Sequence, residues 1–370
     1  MKENKARVIA FYLPQYHPIP ENDKYWGKGF TEWTNVAKAK PLFRGHYQPH
    51  IPADLGFYDL RLPEVREAQA ELARDAGIEG FCYYHYWFGN GKMLLQKPFE
   101  EVLRLGKPDF PFCLCWANHD WTTKTWVKGS SMVNNTMIAQ QEYLGEQDDI
   151  KHFEYCLRAF KDHRYITIEG KPIFLIYDPL SFPNVKEFMN RWNFLAKKNN
   201  LKGIYFIGVT TGRQSSYKIV TNLGFDGVCH NRRWEAEAKA AGFRFVRRMQ
   251  SLLGWHLGIS LMKYDYNKVV RNYDTPENKL ENRYPVITPG FDRTPRAGRR
   301  AGIYVNSSPK NFKKHVAEVC KSIQDKDDDH RLVFLSAWNE WGEGNYMEPD
   351  LKWGHGYLEA LKSVVKFQIK

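Results

Sequence analysis

The chain has 370 residues, 43% of them hydrophobic and 15% aromatic, with a formal net charge of +12. That apolar content suffices for a large core, while no apolar run approaches the roughly 20 residues of a membrane-spanning helix. The positive charge fits an anionic partner or plain solubility, but the chain carries no recognisable nucleic-acid-binding motif, so nucleic acid is not expected as a partner.

The start, Met1 to Lys5, is polar, and the next apolar run, Val8 to Leu13, stops at Pro14, too short for a secretory core. The reading is a cytoplasmic protein, at most peripheral to a membrane. Short β-rich apolar runs then alternate with helix-like stretches, the pattern of βαβ units. The first run, Arg7 to Tyr16, leads into an aromatic, turn-rich insertion from Glu21 to Asp59, placed to cover the mouth of a barrel. Leu62 to Asp75 has Leu and Ala at helical spacing and closes at Gly77, a suitable C′ residue. Ile78 to Trp87 and Phe110 to Asn118 follow as strands. The six cysteines (Cys82, Cys113, Cys115, Cys156, Cys229, Cys320) mostly sit inside such apolar runs, which predicts buried free thiols rather than a disulfide framework. Alternation along a strand puts Cys113 and Cys115 on one packed face, and no second pair at zinc spacing accompanies them. Neither a metal nor another cofactor is expected.

Further strands are predicted at Pro172 to Tyr177, Gly203 to Thr210 and Gly224 to His230, with a helix over Val185 to Asn199. A second insertion, Asn231 to Arg283, contains Phe243 to Met262, whose apolar positions recur at helical spacing beside Arg244, Arg247 and Arg248. It reads as an outer helix with a solvated basic face, or as a contact for an anionic membrane surface. The strand Tyr284 to Thr288, a helix over Phe312 to Ile323 and the strand Leu332 to Trp338 complete the series. Eight strands, each followed by a helix or long loop, predict one (β/α)₈ TIM barrel over residues 1–370, with insertions at about 21–59 and 231–283. An open doubly wound sheet is the alternative, and the lack of a Gly-rich phosphate loop after any strand argues against it.

Barrel enzymes work at the C-terminal ends of their strands. Those ends carry aromatics beside amides, imidazoles and carboxylates: Tyr16 and His17, Tyr84 and His85, Trp116 and Asn118, Tyr177, Asp292, and Trp338 with Asn339 and Trp341. With Trp26 from the first insertion, these are the candidate substrate-binding residues. Such a mixture suits a sugar, whose C–H face stacks on rings while its hydroxyls need fixed donors and acceptors. The histidines, including His119 and His230, are open between sugar contact, general acid and metal ligand, with hydrogen bonding to substrate favoured for His17 and His85. Asp292 is placed to bind hydroxyls or to hold an Arg. The sharpest pair is Glu340 and Glu343. On an extended strand they would point to opposite faces, whereas on a helical turn their Cβ atoms lie about 5–6 Å apart. A strand that breaks into a turn at Trp341-Gly342 therefore aims both carboxylates into one site, where close like charges split their pKa values.

Six motifs carry a resemblance: Ala10 to His17, Gly29 to Trp33, Phe81 to Trp87, Cys115 to Asn118, Pro289 to Asp292 and Ala337 to Gly344. Through them nearly the whole chain resembles the WbsX-type proteins encoded among polysaccharide-biosynthesis genes, related to the family-99 glycoside hydrolases. The resemblance implies a (β/α)₈ barrel without a metal cofactor and a retaining cleavage of α-linked glycan through an epoxide-like sugar intermediate. It makes Glu340 the base on the sugar 2-hydroxyl and Glu343 the acid on the leaving oxygen. The endo-mannosidases of that family often carry a His where this chain has Gly342. The expected function is a glycoside hydrolase or transglycosidase acting on an oligo- or polysaccharide. A glycosyltransferase of O-antigen or capsule assembly and a non-catalytic glycan-binding protein are the alternatives. The absence of an obvious nucleotide site opposes the first of these, and the second has no need for two acids.

Overall fold

The computed structural model describes residues 6–123, 136–210, 217–241 and 262–365, with Met249, Leu252 and Leu253. Eight strands form a closed parallel barrel: β1 (Arg7–Tyr12), β2 (Gly80–Trp87), β3 (Phe112–Trp116), β4 (Lys171–Ile176), β5 (Tyr205–Thr210), β6 (Gly227–His230), β7 (Arg283–Ile287) and β8 (Leu332–Leu335). Each pairs with its neighbours in chain order, and the ring closes where β1 meets β8, Arg7 opposite Leu332 through Ala10 opposite Leu335. The expected barrel is the observed one, and the open sheet is excluded by this closure.

The strands are nearly continuous apolar runs because both faces of a parallel sheet are covered. In β5 and β8 every residue is buried. The outer layer includes the helices Pro63–Asp75, Lys97–Leu105, Glu146–Phe160, Val185–Lys198, Pro309–Ser322 and Gly356–Val365. Pro309–Ser322 begins three residues before the expected Phe312, because Ser308 accepts the Asn311 N–H and Pro309 starts the first turn. All six cysteines are free and buried, and Cys82 sits opposite Cys113 in the ladder, as a packed interior face requires.

At the mouth, β1 and β8 stop short of the expected Tyr16 and Trp338. Asn339 is the reason: its Oδ1 accepts the Leu13 N–H at 2.8 Å and its Nδ2 donates to the Leu13 carbonyl at 3.1 Å. A side chain thus replaces the ladder across the barrel seam. The first insertion forms two short helices, Pro20–Trp26 and Glu32–Lys38. The basic segment Phe243 to Met262 falls almost wholly outside the described residues. No described helix is long and apolar enough to cross a membrane.

Candidate active site

Beyond β8 the chain turns into a small hairpin in which Asn339–Glu340 pairs antiparallel with Asn345–Tyr346. Between the arms, Trp341–Glu343 makes one 3-10 turn, closed by Gly344 at φ +55°. This is the strand-to-turn break read from the sequence, and it brings the two acids together. Glu340 and Glu343 line one cavity of about 630 Å³ at the C-terminal end of the barrel. Their carboxyl groups are in hydrogen-bonding contact. Tyr84 and Tyr86 of β2, Tyr177 after β4 and Trp121 contribute aromatic wall, and Gln15, His119 and Asn231 contribute polar groups.

The charges around the pair are organised by three arginines. Glu343 receives Arg296 at 2.7 Å and Arg293 at 3.3 Å, with Arg233 at 3.9 Å. The same Arg296 nitrogen lies 3.3 Å from Glu340. Behind it, Arg296 makes a two-pronged bond to Glu32, both contacts 3.0 Å, and Glu32 is fully buried. Burial would weaken the Arg296 cation, but the three carboxylates more than offset that and hold its pKa well above normal. Burial and the neighbouring charge of Glu343 push Glu340 up to about 8. Against the upward push of burial, Arg296, Arg293 and Arg233 hold Glu343 down to about 2. Burial thus favours the protonated form of Glu340 and the arginines favour the ionised form of Glu343, so the two like charges are split.

This arrangement requires glycine at 342. A Cβ there would overlap the Glu32 carboxylate and come within 3.0 Å of Arg296 Nε. A His, common at this place in the mannosidases, cannot coexist with the buried Glu32–Arg296 pair. The departure at Gly342 and the arginine cluster are one feature.

Of the candidate substrate-binding residues, the structure brings Tyr84 and Tyr177 to the cavity with the two acids. The others support it from outside its lining. Strand alternation turns His85 and Trp116 outward: His85 Nε2 bonds His152 Nε2 at 2.8 Å, and Trp116 donates to the Trp87 carbonyl at 2.9 Å. Burial lowers His85 to about 3, so it is a neutral structural imidazole. His17 is likewise buried, lowered to about 4 by desolvation. Asn118 ties the ends of β3 and β4, donating to the Asp178 carbonyl and accepting the Asp178 N–H. Tyr16 donates to the Asn339 carbonyl and accepts the Trp341 N–H, which fixes the hairpin. Trp338 and Trp341 are buried, Trp341 stacking on Tyr346 at 3.8 Å. Trp26 packs on Phe30. Asp292 holds no Arg among the described residues and faces a neighbouring cavity. The Leu42 N–H donates to His46 Nδ1, so His46 Nε2–H is the donor to Asp292, joined by Gln48. The groups missed in the sequence are Glu32, Arg233 and Arg296. Only Glu32 stood in a noted motif, and nothing local marks Arg296.

A model of the family described as "Glycosyltransferase WbsX" matches residues 8–361. WxcX proteins from two strains of Xanthomonas campestris pv. campestris, B100 and ATCC 33913, are 34% identical over 361 residues. The match covers 97% of this chain and 50% of theirs, so the chain spans about half the length of these curated relatives. Among solved structures, a GH99 endo-alpha-mannosidase from Bacteroides thetaiotaomicron superposes with TM-score 0.58 at 16% identity, over 98% of this chain and 97% of that one. A glycoside hydrolase-like protein superposes with TM-score 0.60 at 15% identity, over 98% and 94%. At these identities the structural likeness shows the fold alone. The family match runs through nearly all the described barrel, and the chain belongs to the WbsX family.

Proposed function

We propose that this protein is a carbohydrate-active enzyme that cleaves or transfers an α-linked glycan with retained configuration, in the setting of a surface polysaccharide. One observation carries the reading: two carboxyl groups share one cavity and one arginine nitrogen, with aromatic walls around them. Both acids touch the same Arg296 nitrogen and each other. That contact is far closer than the roughly 6.5–9.5 Å of an inverting pair and nearer the roughly 5–5.5 Å of a retaining one. Glu340, holding the proton, donates it to the glycosidic oxygen as the C–O bond breaks. Glu343, held ionised, faces the anomeric carbon as nucleophile and charge stabiliser, and Glu340 then takes the proton of the incoming water or sugar hydroxyl. This reverses the roles that the resemblance implies, and the reversal follows from the arginines on Glu343.

The test is incubation with a panel of α-linked oligosaccharides, products followed by mass spectrometry, with Glu340→Gln as control. Cleavage or transglycosylation that vanishes in the variant supports the reading, and turnover that survives in it removes Glu340 from the chemistry. Aryl glycosides with good leaving groups separate the roles. They should restore rate to Glu340→Gln and not to Glu343→Gln, and the opposite pattern returns the acid to Glu343.

A second reading is a glycosyltransferase, the family's label. Arg233 and Arg293 line the cavity, and guanidinium forks suit the phosphates of an activated sugar donor. Transfer from a diphosphate-linked sugar, with no cleavage of any oligosaccharide, would establish it.

A further inference from the structure

A second cavity of about 540 Å³ opens beside the first, between the loops that follow β7 and β8 and the segment around Tyr47. Its size is within the usual range for small-molecule sites. Phe291 and Tyr304 line both cavities, so the wall between them is one layer of side chains. Neither Glu340 nor Glu343 reaches the second one.

Its lining has the same character as the first. Tyr47, Trp353 and Tyr357 supply ring surface, and Trp353 and Tyr357 stand nearly perpendicular at 6.3 Å, two sides of a corner. The polar framework is rigid. Asp350 accepts the Tyr346 hydroxyl at 2.6 Å and two backbone N–H groups, and Asp292 is occupied by His46 and Gln48. The Tyr47 hydroxyl is buried at the base of this aromatic corner, against the backbone of Ile51 and Lys352. Among the described residues two carboxylates face the space, against the single ammonium of Lys352, which already sits 4.6 Å over the Tyr47 ring. That balance disfavours a phosphate, and the polar lining disfavours a lipid. Ring faces with interspersed hydroxyl partners favour a neutral sugar.

We propose that this second cavity is a glycan subsite, holding sugar residues of the same chain whose bond lies at Glu340 and Glu343. The inference rests on the carbohydrate reading of the first cavity and gives the substrate a class: an extended oligo- or polysaccharide rather than a mono- or disaccharide.

The test uses Glu340→Gln protein, expected to hold these glycans without cleaving them, on an array of bacterial surface glycans from disaccharides to octasaccharides. Trp353→Ala and, separately, Tyr47→Phe are added, with thermal unfolding to check each fold. Trp353→Ala should weaken retention of the longer glycans at least tenfold and leave disaccharides unchanged, and Tyr47→Phe should give a smaller loss of the same kind. Unchanged retention of long glycans, equal loss at every length, or displacement of long glycans by millimolar inorganic phosphate overturns the subsite while leaving the first cavity's reading intact. Length-dependent loss without any turnover of the same glycans by the native protein keeps the subsite and removes the catalytic reading. If no glycan is retained at all, the subsite is overturned, and the native protein's turnover of the same panel then decides the catalytic reading separately.

Discussion

Burial and then the negative charge of Glu343 push Glu340 up to about 8. If Glu340 delivers its proton, kcat/KM falls as pH rises through about 8, a limb read directly from a pH–rate profile. The same shift acts on stability. A carboxyl whose folded pKa is raised contributes stability that is complete below its unfolded value, roughly 4.3, and lost as pH rises through about 8. Glu340→Gln, which cannot ionise, is therefore expected to gain stability relative to the native protein as pH climbs across that window. Urea unfolding at pH 5 and pH 8 checks it, and a constant difference would mean that the proton lies elsewhere. Gly342 is tested the same way. Gly342→Ala forces a methyl into the Glu32 carboxylate and should cost about 1–3 kcal/mol as overpacking, more if the buried ion pair breaks. In a Glu32→Ala background the same Gly342→Ala change should cost less, since the two changes share one contact.

At the scale of elements, β2 shows what a sequence can and cannot tell. The run Ile78 to Trp87 is legible as a strand, and period two is legible within it, yet which parity faces the barrel is not. Tyr84 and Tyr86 face the cavity while His85 and Trp87 pack against the helix Glu146–Phe160, where Trp87 stacks on His152 at 4.6 Å. His85→Leu leaves His152 without its buried partner. The expected result is a loss of about 1–3 kcal/mol in denaturant unfolding with an unchanged kcat, whereas a substrate contact would shift KM. The strand-to-turn break at Trp341-Gly342 was readable because two glycines and three-residue spacing are local signals. The Arg296–Glu32 pair was not, because its partners are 264 residues apart and meet only when the barrel closes. Nor was the inward parity of Tyr177 distinguishable from the outward parity of Trp116, both aromatic residues near the ends of apolar runs.

The whole molecule depends on joining its two ends. The barrel's eighth strand is completed only after residue 331, and it must pair with a strand that begins at residue 7. The seam is held by the β1–β8 ladder below and by Asn339 above, with Tyr58 giving that amide a third contact at 3.3 Å. Asn339 is fully buried, so its removal cannot be repaired by water. Asn339→Ala leaves the buried Leu13 N–H and carbonyl unpaired, a cost of about 1–3 kcal/mol for an orphaned polar group. The same change detaches the base of the hairpin that carries both acids from Leu13, while Tyr16 still holds it through the backbone carbonyl of residue 339 and the Trp341 N–H. Hydrogen exchange should then speed up at Leu13 and along β1 and β8 before it does in β4 and β5 on the far side of the barrel. Activity should fall more than the stability loss explains, measured at a temperature where both proteins remain folded. Uniform acceleration around all eight strands would mean that the seam is no weaker than the rest of the ring, and that the acids are positioned by Tyr16 and the arginines without Asn339.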